Sequence, residues 1–118
     1  MSIELEVLSR NDNVSHVKLK GRLDAVTIRQ VDVRFHGETA ARRRPAIVDL
    51  SELDFITSLG IGMLFGCAKS LRRHGANMVL VGTSGFVDNA LRTVGVDEVI
   101  PIASTMEDAL RLASESRS

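Results

Sequence analysis

Aromatic side chains are nearly missing from this 118-residue chain: it has four Phe and neither Tyr nor Trp. Single-stranded nucleic acids are held largely by stacking bases on aromatic rings, so that class of binder is disfavoured. The same scarcity means the core must be aliphatic. Charge of one sign is missing too, since 15 basic and 15 acidic side chains cancel. No global field draws the protein to DNA or to anionic lipid. The basic run Arg42-Arg43-Arg44 is short and reads as a solvated loop ahead of a strand. One cysteine, Cys67, excludes an internal disulfide and a cysteine-built metal site, and its spacing marks it as a small buried hydrophobe. No apolar run approaches a membrane span. The opening MSIELEV lacks a basic region followed by an apolar one, so no signal peptide is read and a cytoplasmic protein is expected.

What is present is ordinary for a globular protein, 44% apolar and 25% charged residues, and the length suits one domain over residues 1–118. Ile3, Leu5 and Val7 alternate with polar residues, as do Val17 and Leu19, with turn chemistry at Arg10-Asn11-Asp12-Asn13 between them. This predicts an antiparallel hairpin at a sheet edge. From Ala25 to about Ala41, Ile28, Val31 and Phe35 keep helical spacing, with Thr27 and Gln30 near the start and a possible stop at Gly37. Ala46 to Leu50 and Met78 to Val81 are short apolar runs of the kind found in strands covered on both faces, and Val99-Ile100 with Ile102 gives a fainter one.

Two helical patterns separate those runs. The first buries Ile61, Leu64, Ala68 and Leu71, leaves Lys69, Arg72 and Arg73 in solvent, and closes at Gly75. The second is marked by Phe86, Ala90, Leu91 and Val94 and closes at Gly95. A last helix starts near Ser104 or Thr105, with Glu107 placed for a capping box, and the tail from Ser114 to Ser118 is expected to fray. The expected order is β-β-α-β-α-β-α-β-α: a single α/β domain with a mostly parallel central sheet, an antiparallel edge strand and about four helices.

Much chemistry is excluded. His16, His36 and His74 pair with no Glu or Cys at ligand spacing, and His74 suits the negative end of a helix. Gly60-x-Gly62 follows a strand, but Phe65 stands where a dinucleotide fingerprint needs its third glycine, and no P-loop lysine follows. Gly82-Thr83-Ser84-Gly85 lacks the residue a nucleophile elbow places between Ser and the second Gly, so it reads as a turn with Ser84 as a helix cap. No convergent acid, base and nucleophile are visible, no cofactor or metal is implied, and no enzyme is expected. The junction Ile56-Thr57-Ser58-Leu59-Gly60 stands apart. Ser58 is readable as a helix N-cap, a contact worth about 1 kcal/mol. It also lies where α/β proteins gather functional groups, at the exit of a parallel strand. Gly60 and Gly62 would leave its surroundings bare enough for another protein to approach.

These residues carry a resemblance. Asp49-Leu50-Ser51, followed by Leu53-Asp54-Phe55-Ile56-Thr57-Ser58-Leu59-Gly60-Ile61-Gly62-Met63-Leu64, resembles the signature of the STAS domain, the fold of anti-sigma factor antagonists. Gly21-Arg22-Leu23-Asp24, Gly75 to Val81 and Leu91 to Asp97 match further family stretches in the right order. The resemblance implies a phosphorylation-switched binding module. Its partner would be an anti-sigma factor with a histidine-kinase-like ATPase domain, bound and sequestered by the unmodified form, with no nucleic acid and no membrane involved. By position Ser58 is the phosphoacceptor, with Thr57 as the alternative. The partner surface would comprise Asp24, Thr57, Ser58, Leu59, Gly60 and Gly62. Two departures matter: Thr57 replaces the family's usual Asp, and Leu59 its usual second Ser or Thr. They keep open a second reading, a STAS scaffold or assembly protein that needs no phosphate.

Overall fold

The computed structural model describes residues 2–10 and 13–115. Five strands form one sheet in sequential order: β1 (Ile3–Arg10), β2 (Ser15–Leu23), β3 (Ala46–Ile56), β4 (Met78–Val81) and β5 (Ile102–Ala103). The β1–β2 pair is antiparallel and all the other pairs are parallel. Four helices, α1 (Ile28–Glu38), α2 (Ser58–Arg73), α3 (Gly85–Val94) and α4 (Met106–Ser114), separate or follow the parallel strands. Short 3₁₀ turns at Ala40–Arg42 and Val96–Glu98 follow α1 and α3. The element order and the antiparallel edge are those read from the sequence.

Hydrophobic periodicity decides which face each helix covers. Val31 and Phe35 of α1, Ile61, Leu64, Ala68 and Leu71 of α2, and Val87 and Leu91 of α3 join the inward residues of the sheet in one aliphatic core. On the other face, α4 sets Ala109 and Ala113 against Ile47, Val79, Val81 and Ala103. Small residues on α4 suit a helix lying close to the sheet. Glu4 and Glu6 of β1 pair across the ladder with Lys20 and Lys18. Lys18 Nζ lies 2.6 Å from Glu52 Oε2, and Lys20 Nζ 3.6 Å from Glu6 Oε1. Alternation in β1 and β2 thus separates an aliphatic side from a charged one.

Several boundaries differ from the expected ones, each for a local reason. β3 is one strand of 11 residues, because it bulges against β2 between Asp49 and Glu52 and again between Leu53 and Phe55. The extra residues let polar Ser51, Glu52 and Asp54 sit in a strand without disturbing its buried face. Val99 and Ile100 lie outside β5, though Ile100 is buried. Gly37 stays within α1. In α3 the buried positions are Val87 and Leu91, with Ala90 packed at the edge of the core; Phe86 and Val94 are exposed. α4 is capped by Thr105, whose side chain accepts from Asp108 N at 3.1 Å, so Asp108 holds the position expected for Glu107. Ser114 is helical, its hydroxyl donating to Leu110 O at 2.8 Å. Asn11, Asp12 and residues 116–118 lie outside the described residues.

Candidate functional site at the carboxyl edge of the sheet

Strands β2, β3 and β4 run parallel, so their C-terminal ends point the same way; β2 and β3 end in register, Leu23 beside Ile56, while β4 ends at Val81 opposite Asp49. Two of those ends are tied together: Thr57 N, just past β3, donates to Leu23 O, the last residue of β2, at 3.0 Å. Asp24 therefore begins its loop beside Thr57 and Ser58. The expected neighbourhood of Asp24 and the hydroxyl pair is present.

The Asp24 loop is built by its own side chains. Asp24 Oδ1 accepts from Val26 N and Thr27 N, each at 3.0 Å. In return Thr27 Oγ1 accepts from Asp24 N at 2.9 Å and donates to Arg22 O at 2.7 Å. Thr27 is buried at the N-cap position of α1, where its carbonyl accepts from Gln30 N at 2.9 Å, but its hydroxyl makes no cap bond and closes this turn instead. The Thr27 backbone N–H holds the Asp24 carboxyl below its usual range, helped by Val26 N–H, the Thr27 hydroxyl and the Arg22 charge. Asp24 is thus ionised and largely committed to the loop; its Oδ2 lies 3.9 Å from Arg22 Nε.

Ser58 is not the cap of α2. That position belongs to Thr57, whose backbone is extended (φ −108°, ψ 174°) and whose carbonyl accepts the helix's opening bond from Ile61 N at 3.0 Å. Thr57 makes no side-chain cap bond; its hydroxyl is turned back toward Leu23 O at 3.4 Å. The sequence could not separate two adjacent hydroxyl residues, either of which can cap a helix. Strand pairing to Leu23 keeps Thr57 extended and makes Ser58 the first helical residue, exposed to solvent. The first turn has no acidic residue and no side-chain cap. Its N–H groups and the positive end of the helix dipole therefore stand beside an accessible hydroxyl.

The two glycines part company. Gly62 is exposed, and a Cβ added there would meet nothing within 4 Å. Gly60 is buried: a Cβ would come within 2.8 Å of the Leu23 side chain and 2.9 Å of Ile56 Cγ1. Its expected place on the exposed surface is corrected: absence of a side chain lets α2 approach the ends of β2 and β3. Gly62→Ala is expected to stabilise the fold by up to about 1 kcal/mol through helix propensity. Gly60→Ala is expected to cost about 1–3 kcal/mol by overpacking Leu23 and Ile56. Chemical denaturation of both variants checks the contrast, and equal shifts would remove the packing role of Gly60.

One feature of this edge has little sequence signal. Phe55 of β3 and Phe86 of α3 stack with centroids 5.0 Å apart and planes 16° from parallel, and the Arg22 guanidinium carbon lies 4.0 Å from the Phe55 centroid. Phe86 reads as a core residue by spacing, and only the rarity of aromatics hints that two would meet. At the exit of β4, Ser84 occupies the cap position of α3 without a side-chain cap bond. Thr83 Oγ1 donates to Asp88 Oδ1 at 2.7 Å and, with Arg92, holds that carboxyl below its usual range. Cys67 is buried and desolvation raises its thiol pKa, which suits a packing residue better than a nucleophile. Among the described residues no group of three or more His, Cys, Asp or Glu could hold a metal ion, and no helix is long and apolar enough to cross a membrane.

Comparison with known proteins agrees with this architecture. The family model for the STAS domain matches residues 7–109. An anti-sigma-B factor antagonist of Listeria monocytogenes is 26% identical over 102 residues, covering 86% of this chain and 90% of that protein. The anti-sigma-F factor antagonist RsfA of Mycobacterium tuberculosis is 26% identical over 106 residues, covering 87% and 82%. In three dimensions, an anti-sigma factor antagonist from Mycobacterium paratuberculosis superposes with a TM-score of 0.81 at 26% identity, covering 96% of this chain and 95% of that one. With its sheet order, its helices and the stretch from β1 to α4 all accounted for, the chain belongs to the STAS domain family.

Proposed function

We propose that this protein is an anti-sigma factor antagonist: a non-enzymatic cytoplasmic module that binds and sequesters an anti-sigma factor through the carboxyl edge of its sheet, under control of phosphorylation at Ser58. The partner is an anti-sigma factor with a histidine-kinase-like ATPase domain. It transfers the γ-phosphoryl of ATP to Ser58 Oγ, and the hydroxyl proton leaves as ADP forms.

The observation that carries this reading is the setting of Ser58. It is exposed on the first turn of a helix of 16 residues that has no side-chain cap, beside a loop fixed by Asp24. A phosphate carries about −1.5 to −2 charges at neutral pH. At this position those charges meet free N–H groups and the positive helix end, so the modified domain stays folded. The modification then acts on the interface. Thr57 is the poorer acceptor, since its hydroxyl is half-buried and directed at Leu23 O. The family's usual acid at position 57 is absent, so kinase recognition here rests on other groups of the edge.

The test uses each histidine-kinase-like anti-sigma factor encoded in the same genome, purified and incubated with this protein and ATP. Expected results are a complex in ADP and a phosphate on the peptide containing Ser58, read by mass spectrometry. No complex with any of them, and no modification of Ser58 or Thr57, would overturn the switch in favour of a scaffold.

A further inference from the structure

Each of the three adjacent parallel strands delivers one exposed apolar side chain at the edge that carries Ser58. Val26 follows β2 and is 72% exposed, Leu59 follows β3 and is 53% exposed, and Phe86 follows β4 and is 54% exposed. β2 and β3 end together, Leu23 beside Ile56, which sets Val26 and Leu59 each three residues past adjacent strand ends, with Ser58 between Ile56 and Leu59. β4 ends earlier, at Val81 opposite Asp49, and the chain after it brings the Phe86 ring onto Phe55, one residue before the end of β3. Among the described residues the remaining exposed large apolar side chains lie apart from one another: Leu8 in β1, Val33 in α1, Val94 at the far end of α3, Val99 after the second 3₁₀ turn and Leu110 in α4. Scattered exposed hydrophobes need no explanation, whereas a group of them around one polar residue does.

Phe86 is also pre-organised. Its ring lies on Phe55, and Arg22 covers Phe55 in turn. A ring held this way loses little rotamer freedom on binding, and buried aromatic and arginine groups dominate the energetics of protein interfaces.

We propose that the anti-sigma factor seats on this apolar triad, with Phe86 as its principal anchor, and that Ser58 lies inside the seat. This deepens the proposed function and rests on it. The partner must then offer an apolar pocket at the β4 side of the edge, beyond the α2 surface. The location also explains how a phosphate on Ser58 blocks binding without an acidic neighbour at position 57. Closing an apolar contact around a doubly charged group strips its water and returns no counter-charge, which is strongly unfavourable.

Binding of unmodified wild type, Phe86→Ala, Val26→Asp and Val94→Asp is measured against the anti-sigma factor that forms the complex described above. Val94 is equally exposed but lies at the far end of α3, and serves as the control. Phe86→Ala and Val26→Asp are expected to weaken binding about thirtyfold or more, and Val94→Asp less than about threefold. Backbone amide NMR shifts on titrating the partner into wild type give a second readout that needs no variant to fold. They should change most at Val26, Leu59 and Phe86. If wild type binds while Phe86→Ala and Val26→Asp match the Val94→Asp control, the triad is not the seat, although the antagonist function stands. If wild type binds none of the anti-sigma factors, both readings fall together.

Discussion

Leu64→Ala is expected to lower folding stability by about 2–5 kcal/mol, the range for deleting a fully buried leucine where the surroundings relax only partly. Leu64 has no exposed surface and sits on the inward face of α2 with Ile61, Ala68 and Leu71. This face joins the sheet and the helices α1 and α3 in one core, so the cavity has rigid walls on every side. The chain has no Trp or Tyr and one fully buried Phe, Phe35, so a few large aliphatic residues carry most of the burial. Against a typical total of about 5–15 kcal/mol, such a loss is a large share of the stability. Chemical denaturation should show it as a shifted midpoint with an unchanged slope, and melting should fall by roughly 10 °C or more. A loss below about 1 kcal/mol would remove Leu64 from the core and break the register of α2.

The same helix shows which parts of the structure were legible in the sequence. Ile61, Leu64, Ala68 and Leu71 recur every three or four residues, and that period has one solution once a sheet lies underneath. The edge hairpin and the β3 and β4 runs were readable for the same reason. Where the reading failed, a tertiary partner chose between local options of similar energy. Thr57 and Ser58 both suit a helix cap, and a single backbone bond to Leu23 O decides between them. Gly60 and Gly62 look alike in sequence, yet only Gly60 faces the Leu23 and Ile56 side chains. Phe86 fits an amphipathic pattern one residue out of step with Val87; its contact with Phe55 joins β3 to α3 across more than 30 residues. Asp24 was placed by family likeness, but its bonds to Val26 N and Thr27 N show a residue that builds the loop.

Ser58→Asp and Ser58→Ala are expected to fold equally well and to differ sharply in binding. Ser58 makes no cap bond, so alanine removes no contact from the fold and adds helix propensity. Aspartate sets a negative charge in a first turn that has none, which the helix dipole favours by about 0.3–1 kcal/mol. Stability therefore stays level or rises slightly in both variants, and neither binding result can be blamed on unfolding. At the interface the two diverge. Alanine leaves the edge apolar and should bind the anti-sigma factor within about threefold of wild type while accepting no phosphate. Aspartate places one unpaired charge at the centre of the contact, where closing the interface removes its water; binding should weaken roughly a hundredfold. The single charge of aspartate falls short of a phosphate, so the phosphorylated protein should bind more weakly still. Calorimetric titration of the same anti-sigma factor with all three forms measures the series. If Ser58→Asp binds as tightly as wild type, charge at this hydroxyl does not govern the contact, and the first turn of α2 is a helix start and nothing more.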